Sequence, residues 1–245
     1  MLASEYPLYR SNTAVLQAIV AKVAKGYIWY FAGEVATSRV LPLVEKLAKV
    51  HHVLLHPNHQ TILKQTGYPT ARLVLADKPI YKEGASCWPF VLLSTQSLPG
   101  ERMFSVDDAQ HPFIWRSIYQ LYRTEWQRWS WRLCEAHFQS LLGQVLAAAC
   151  GEPGYLTRRL DGLTYYPRFH GVHQDLRRLI YAAQRTWGAS HRGGQHRQGM
   201  AQPDWDKYLS LRPLRGVGTG LYARPPQTLG QWLETQQSSA GSGDL

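Results

Sequence analysis

The sequence predicts an α+β fold in three parts: an opening α/β unit, a large helical region rich in arginine, and a C-terminal β-hairpin around a glycine-rich loop. Apolar residues recur at helical spacing in residues 12–25 and again from residue 113 onward. Between them, β-branched and aromatic runs are set off by turn residues. Near the end, Gly216-Val217-Gly218-Thr219-Gly220 punctuates two short extended stretches. With 245 residues, 44% of them hydrophobic and 18% charged, the chain can bury a sizeable core. Its net charge of +10 is therefore expected on a folded surface.

In chain order, Val15, Leu16, Ile19, Val20 and Val23 form one helical stripe, stopped by Gly26. Residues 27–35 read as a strand. Thr37 or Ser38 then caps a helix through Leu41, Val44, Leu47 and Ala48 toward His51. Two further strands are expected at residues 71–76 and 88–95, separated by a turn-rich stretch at 77–86. Over residues 113–149, Trp115, Tyr119, Tyr122, Trp126, Trp129 and Leu133 fall at helical spacing and predict the buried face of one long helix or of two helices in line, in preference to a base-stacking platform. Trp131 lies off that stripe, where an exposed position is expected.

Gly151 and Gly154 break the helix, and residues 155–169 are expected to form a hairpin turning at Asp161-Gly162. The next helix buries Leu176, Leu179, Ile180, Ala183 and Trp187. It turns Gln174, Arg178, Tyr181 and Arg185 together to the opposite face, where no acidic residue is expected to neutralise the arginines. Residues 189–202 read as a mobile basic loop, residues 209–224 as the C-terminal hairpin, and the Ser/Gly-rich tail from Ser238 as disordered. The implied division is 1–110, 111–237 and a tail at 238–245.

The basic residues are unevenly placed: 16 of 19 arginines lie at or after Arg102, and seven of eight lysines at or before Lys82. Guanidinium groups donate a fork of hydrogen bonds that matches phosphate, and they stack on bases. Interleaved with Trp and Tyr, they point to nucleic acid as partner, against colloidal solubility or a membrane-surface patch. Cys87, Cys134 and Cys150 are odd in number and widely spaced, which argues against a disulfide framework or a zinc ribbon. They read as buried thiols in a reducing compartment. No apolar run approaches the roughly 20 residues that span a bilayer, and the start lacks a signal-peptide pattern, so a cytoplasmic protein without membrane contact is expected.

Familiar motifs are weak. The late glycines lack the third glycine and following helix of a dinucleotide-binding turn, and no Gly-Lys-Ser/Thr of a P-loop is present. What remains, flanked by Arg212, Arg215 and Arg224, is either a backbone clamp on a polynucleotide or a simple tight turn. His51, His52, His56 and His59 invite a metal, but Pro57 is expected to interrupt helical geometry between the last two. His170 and His173 repeat the ambiguity, and Asp204 and Asp206 lack a third carboxylate, so no metal or cofactor is expected. No hydrolase signature is present. Metal-free chemistry on RNA needs only alignment of its own 2′-hydroxyl, a proton acceptor and cationic stabilisation.

An α/β unit opening with the aromatic strand Tyr27-Ile28-Trp29-Tyr30-Phe31, an arginine-bearing helical region and Arg215-Gly216-Val217-Gly218-Thr219-Gly220 together resemble the repeat-associated CRISPR protein families. In outline the chain is most similar to guide-RNA-processing subunits, including those of plasmid-borne type IV antiviral defence systems. The resemblance spans about Tyr27 to Arg224, with a glycine spacing that departs from the longer pattern usual there. It implies a ferredoxin-like unit with a large helical insertion, binding of a repeat hairpin RNA by basic helices, other ribonucleoprotein subunits as partners, and metal-independent cleavage. It places candidate catalytic groups near the first helix of the ferredoxin unit, among Arg39, His51 and His52, with Arg39 and His52 as the choice. Arg178, Arg185, Arg192, Arg197, Arg212 and Arg215, with Gly216, Gly218 and Gly220, are the candidate phosphate track. A non-catalytic duplex-DNA-binding protein (a target-recognition subunit or plasmid-maintenance factor) and a protein-interaction subunit remain the alternatives.

Overall fold

The computed structural model describes residues 2–9, 11–191, 203–213 and 227–240. The chain is α+β and divides into two units, Met1–Phe113 with Val217–Leu245, and Ile114–Gly216.

In the first unit, α1 (Asn12–Val23) begins where the Ser11 hydroxyl accepts the Ala14 amide, and it ends at Gly26, whose φ of +88° suits glycine. Its stripe, Val15, Leu16, Ile19, Val20 and Val23, is buried as the spacing predicts. Each such side chain contributes roughly 1.5–3 kcal/mol relative to exposure. β1 (Trp29–Ala36) follows, then a 3-10 turn over Thr37–Arg39 and α2 (Val40–His51). The expected Thr37 or Ser38 cap is replaced: Arg39 sits at the cap position without a side-chain hydrogen bond. Thr37 Oγ1 instead donates 3.0 Å to the Ser86 carbonyl, fixing the exit of β1 to the neighbouring strand.

Pro57 does not interrupt a helix. It opens α3 (Pro57–Gln65), because a residue without an N–H costs nothing in a first helical turn. β2 (Ala71–Leu75), β3 (Ile80–Lys82), β4 (Ala85–Ser94) and β5 (Phe104–Ser105) complete an antiparallel sheet in the order β2-β4-β1-β5, with β3 as a hairpin partner of β4. β3 occupies the stretch expected to be only turns, the chain reversing at Glu83 and Gly84, both at positive φ. β1 and β4 pair from Trp29↔Ser94 to Ala36↔Cys87.

The second unit departs most from expectation. Where the spacing predicts one long helix or two helices in line, β6 (Ile114–Trp115), β7 (Tyr119–Arg123) and β8 (Trp129–Leu133) form a three-stranded antiparallel meander. Arg116, Ser117 and Gln127 take positive φ at its two turns. The register Tyr119↔Leu133 and Leu121↔Trp131 places large apolar residues opposite one another. Trp131 is accordingly fully buried and Trp126 is 63% exposed, the reverse of the helical reading.

Four helices follow among the described residues of this unit. They are α4 (Glu135–Ala149), α5 (Pro153–Thr164), α6 (His170–Ser190) and α7 (Trp205–Leu209). α5 replaces the expected hairpin: Leu156, Leu160 and Leu163 recur at helical spacing and are buried, while Gly162 is tolerated on its exposed face. α7 covers the start of the stretch read as the C-terminal hairpin, whose residues 214–224 lie outside the described residues.

The chain returns to the first unit. Leu8 N–H donates 2.6 Å to the Gln227 carbonyl, and Leu229 N–H donates 2.9 Å to that of Tyr6. α8 (Leu229–Ala240) includes residues from Ser238 that the composition marks as disordered, and its Trp232 meets the buried Trp88 edge-on at 4.5 Å. Of the three free thiols only Cys134 is buried; Cys87 is half-buried, and Cys150, beyond the last turn of α4, is exposed. No helix among the described residues is long and apolar enough to cross a membrane.

Gly171 is the tightest point of the second unit. A Cβ there would lie 2.7 Å from the Tyr122 ring and 2.8 Å from the Trp131 carbonyl oxygen, which belongs to a paired strand. Gly171→Ala is expected to destabilise the protein by about 1–3 kcal/mol, read as a lower urea midpoint. Gly143→Ala, with nothing within 4 Å, should leave the midpoint unchanged or raise it.

Candidate nucleic-acid interface

α6 has the two faces its sequence predicts. Leu176, Leu179, Ile180, Ala183 and Trp187 are buried, while Gln174, Arg177, Arg178, Tyr181 and Arg185 are exposed. The helix is tied to β8 by Asp175, whose Oδ2 accepts the Leu133 amide at 3.0 Å where strand gives way to α4. Burial pushes the Asp175 carboxyl above its usual range, opposed by the Leu133 amide and the Arg178 guanidinium.

The arginines of this face are not equivalent. Contrary to the expectation of no acidic neighbour, Arg178 Nη1 lies 3.4 Å from Asp175 Oδ1, and its guanidinium sits 4.6 Å over the Phe138 ring. Arg177 donates 3.0 Å to the Tyr181 hydroxyl, with its guanidinium 5.6 Å over that ring. Arg185 makes no ion pair among the described residues.

Beside the start of α6, the β7–β8 hairpin adds flat aromatic surface. The Tyr122 hydroxyl shares a 3.1 Å hydrogen bond with His170 Nδ1, and the exposed Trp126 meets the His170 ring edge-on at 5.2 Å. Arg132 lies 5.5 Å over Tyr122 and donates to Gln120 Oε1, and Arg123 lies 4.5 Å over Trp129. Burial raises the Tyr122 hydroxyl above its ordinary pKa, so it remains a neutral hydrogen-bonding group. Guanidinium planes held by aromatic rings, with further rings open to solvent, can contact phosphates and stack bases at once.

No family model, curated protein or solved structure matches this chain. Its site must be read from its own geometry.

Of the residues singled out from sequence, Arg178 and Arg185 share one exposed helix face. Arg212 is exposed beyond α7, in a segment held alongside α6 by the 2.8 Å bond between His173 Nε2 and the Leu211 carbonyl. Arg192, Arg197, Arg215, Gly216, Gly218 and Gly220 lie outside the described residues. Arg39 and His52 do not come together: they flank the 12-residue α2 at opposite ends. At 1.5 Å per residue the helix between them spans about 18 Å.

His51 turns to Glu101 at 3.3 Å, and His56 Nδ1 accepts the Asn58 amide as the cap of α3. Asp204 caps α7 through the Lys207 amide. No group of three or more metal-ligating side chains is found among the described residues.

Sequence reasoning passed over Arg177, although its spacing of four from Tyr181 marks the pairing. It placed Trp126 on a buried helical stripe and Arg132 beside it, because the residues around them read as helix. A further groove missed by sequence lies between α4 and α5, about 330 Å³, lined by His137, Tyr166, Arg158 and Arg159. There His137 Nε2 and the Tyr166 hydroxyl are 2.7 Å apart.

Two outcomes are expected here. Asp175→Ala strands the Leu133 amide and should cost about 1–3 kcal/mol, whereas Asp175→Asn keeps an acceptor and should cost less, both read by urea unfolding. Burial also holds the His137 pKa below its ordinary value. The unfolded chain therefore takes up this proton first as pH falls, and stability declines below about pH 6.5. The midpoint difference between pH 7.5 and 5.5 should be smaller in His137→Gln than in the wild type.

Proposed function

We propose that this protein is an RNA-binding subunit of a CRISPR-type ribonucleoprotein, holding a guide-RNA hairpin on the exposed face of α6. The observation that carries the reading is that face itself, with Arg177, Arg178, Tyr181 and Arg185 all exposed and only Arg178 paired to a carboxylate among the described residues. The adjoining Trp126, Tyr122 and His170 cluster supplies the stacking surface that unpaired bases favour.

The strand order β2-β4-β1-β5, antiparallel throughout, supports the ferredoxin-like reading of the first unit, with α2 and α3 on the crossover between β1 and β2. The connection from β4 to β5 lacks the second helix of that arrangement. The second unit is then an insertion between two segments of the first. The proposal is for binding and positioning. The separation of Arg39 from His52 gives no support to these two as a cleavage pair.

The test is fluorescence anisotropy of a labelled RNA hairpin over a salt series. The Arg178→Ala/Arg185→Ala double variant should bind at least tenfold more weakly, with its log–log salt slope reduced by about 1.4–1.8 for two lost phosphate contacts. Arg185→Ala alone should cost more than Arg178→Ala, because Arg178 must first leave Asp175. Unchanged affinity in the double variant removes this helix from the reading. Stronger competition by duplex DNA than by unlabelled hairpin RNA replaces it with the DNA-binding alternative.

A further inference from the structure

A second cationic site lies in the first unit, where the lysines and not the arginines dominate. Lys22 is in the last turn of α1, and Lys25 lies two residues beyond its end. The chain then turns at Gly26, and the Tyr27 amide donates 3.2 Å back to the Lys22 carbonyl. That turn presents both amines to one side. α3 faces it with Lys64, whose Nζ donates to the Lys25 carbonyl and lies 5.6 Å over the Tyr27 ring. Gln60 on the same helix accepts the Tyr27 hydroxyl at 3.5 Å and donates to the Ala71 carbonyl at 3.4 Å, drawing α3 onto β2. β2 contributes Arg72.

These residues line a cavity of about 650 Å³ with no carboxylate in its wall. Neither Lys22, Lys25, Lys64 nor Arg72 forms an ion pair among the described residues. Arg72 Nε is buried without a hydrogen-bond partner among them. Two consequences of this crowding are physical. Burial, then the Arg72 and Lys25 charges, lowers the Lys22 pKa to about 8, so the cavity already sheds part of its charge near neutral pH. A buried guanidinium donor without an acceptor also costs the protein its desolvation, which an incoming oxyanion would offset.

We propose that this cavity is an anion site for a phosphate group, carried either by a free nucleotide or by the phosphorylated end of a nucleic-acid strand. Four cations from three elements match a multiply charged oxyanion rather than a single carboxylate. The volume is that of a small-molecule site and accommodates more than an isolated ion. Gln60 and the Tyr27 ring stand at its edge as neutral groups able to contact whatever carries the phosphate. The site uses none of the α6 residues and does not rest on the RNA-binding reading.

The full-length protein is titrated calorimetrically with inorganic pyrophosphate at pH 7.5. Saturable binding is expected, weakened at least tenfold in Lys25→Ala/Lys64→Ala. Both lysines are exposed, so the variant should keep the wild-type melting temperature within a few degrees. Should it unfold, brief acylation of the wild type with acetic anhydride at pH 8 gives an independent reading. Lys22 should react ahead of the other lysines, and saturating pyrophosphate should slow its modification at least fivefold.

Competition then separates the sources: ADP displacing pyrophosphate assigns a nucleotide, and a 5′-phosphorylated RNA octamer displacing it where its 5′-hydroxyl counterpart does not assigns a strand end. No saturable pyrophosphate binding, equal binding by the double variant, or no protection of Lys22 overturns the proposal. Hairpin-RNA binding should persist in Lys25→Ala/Lys64→Ala, so failure of the anion site and failure of the α6 interface are distinguishable.

Discussion

The pairing of β1 with β4 is the constraint on which the first unit is built. Eight consecutive residue pairs run from Trp29↔Ser94 to Ala36↔Cys87, and from Trp88 onward every residue of β4 is buried. A strand buried so completely must have both faces covered by other segments and both edges paired, so that its backbone groups are satisfied. β2 takes the other edge. α1 packs through its apolar stripe, and α8 brings Trp232 onto Trp88. The Trp88 indole N–H, which would otherwise be stranded in that apolar setting, donates 2.9 Å to the Ala76 carbonyl at the end of β2. The lysine-lined cavity exists because α3 is drawn onto β2 beside this core through Gln60.

The second unit solves a different problem, that of seating a 21-residue helix on a sheet of short strands. Close approach needs a residue without a side chain at Gly171. It also needs an acceptor for the amide of Leu133, where the last strand ends. Asp175 meets that need from inside the helix, at the cost of a carboxylate with raised pKa, and its other oxygen pairs with Arg178. The interface and the packing thus share residues: the carboxylate that fastens the helix also orients one arginine of its exposed face.

Much of the first unit, and α6 of the second, was legible because these elements obey a single period over their whole length. The stripe of α1, the β-branched runs of β1, β2 and β4, and the two faces of α6 all follow from spacing alone. The errors arose where spacing was shared by two structures. Trp115, Tyr119, Tyr122, Trp126, Trp129 and Leu133 satisfy helical spacing, but Tyr119, Leu121, Trp129, Trp131 and Leu133 also alternate. The turns that decide between the two use Arg116, Ser117 and Gln127 at positive φ in place of the glycine or asparagine that would have announced them. In α5, Asp161-Gly162 carried the opposite false signal, and the leucine spacing prevailed over the turn pair. The Lys22, Lys25, Lys64 and Arg72 cavity could not be read locally, since its members lie up to 50 positions apart and meet only through the α3–β2 contact. The early clustering of lysines was its trace in the sequence.

The join between residues 6–8 and 227–229 has a consequence for the order in which the chain takes shape. The second unit is one continuous stretch and can fold as soon as it has left the ribosome. The first is split around it, so some partners of Tyr6, Leu8 and Trp88, the backbone of residues 227–229 and the Trp232 ring, come from a segment synthesised after the second unit. Until then the Leu8 amide, the Tyr6 carbonyl and the edge of Trp88 that meets Trp232 lack these contacts.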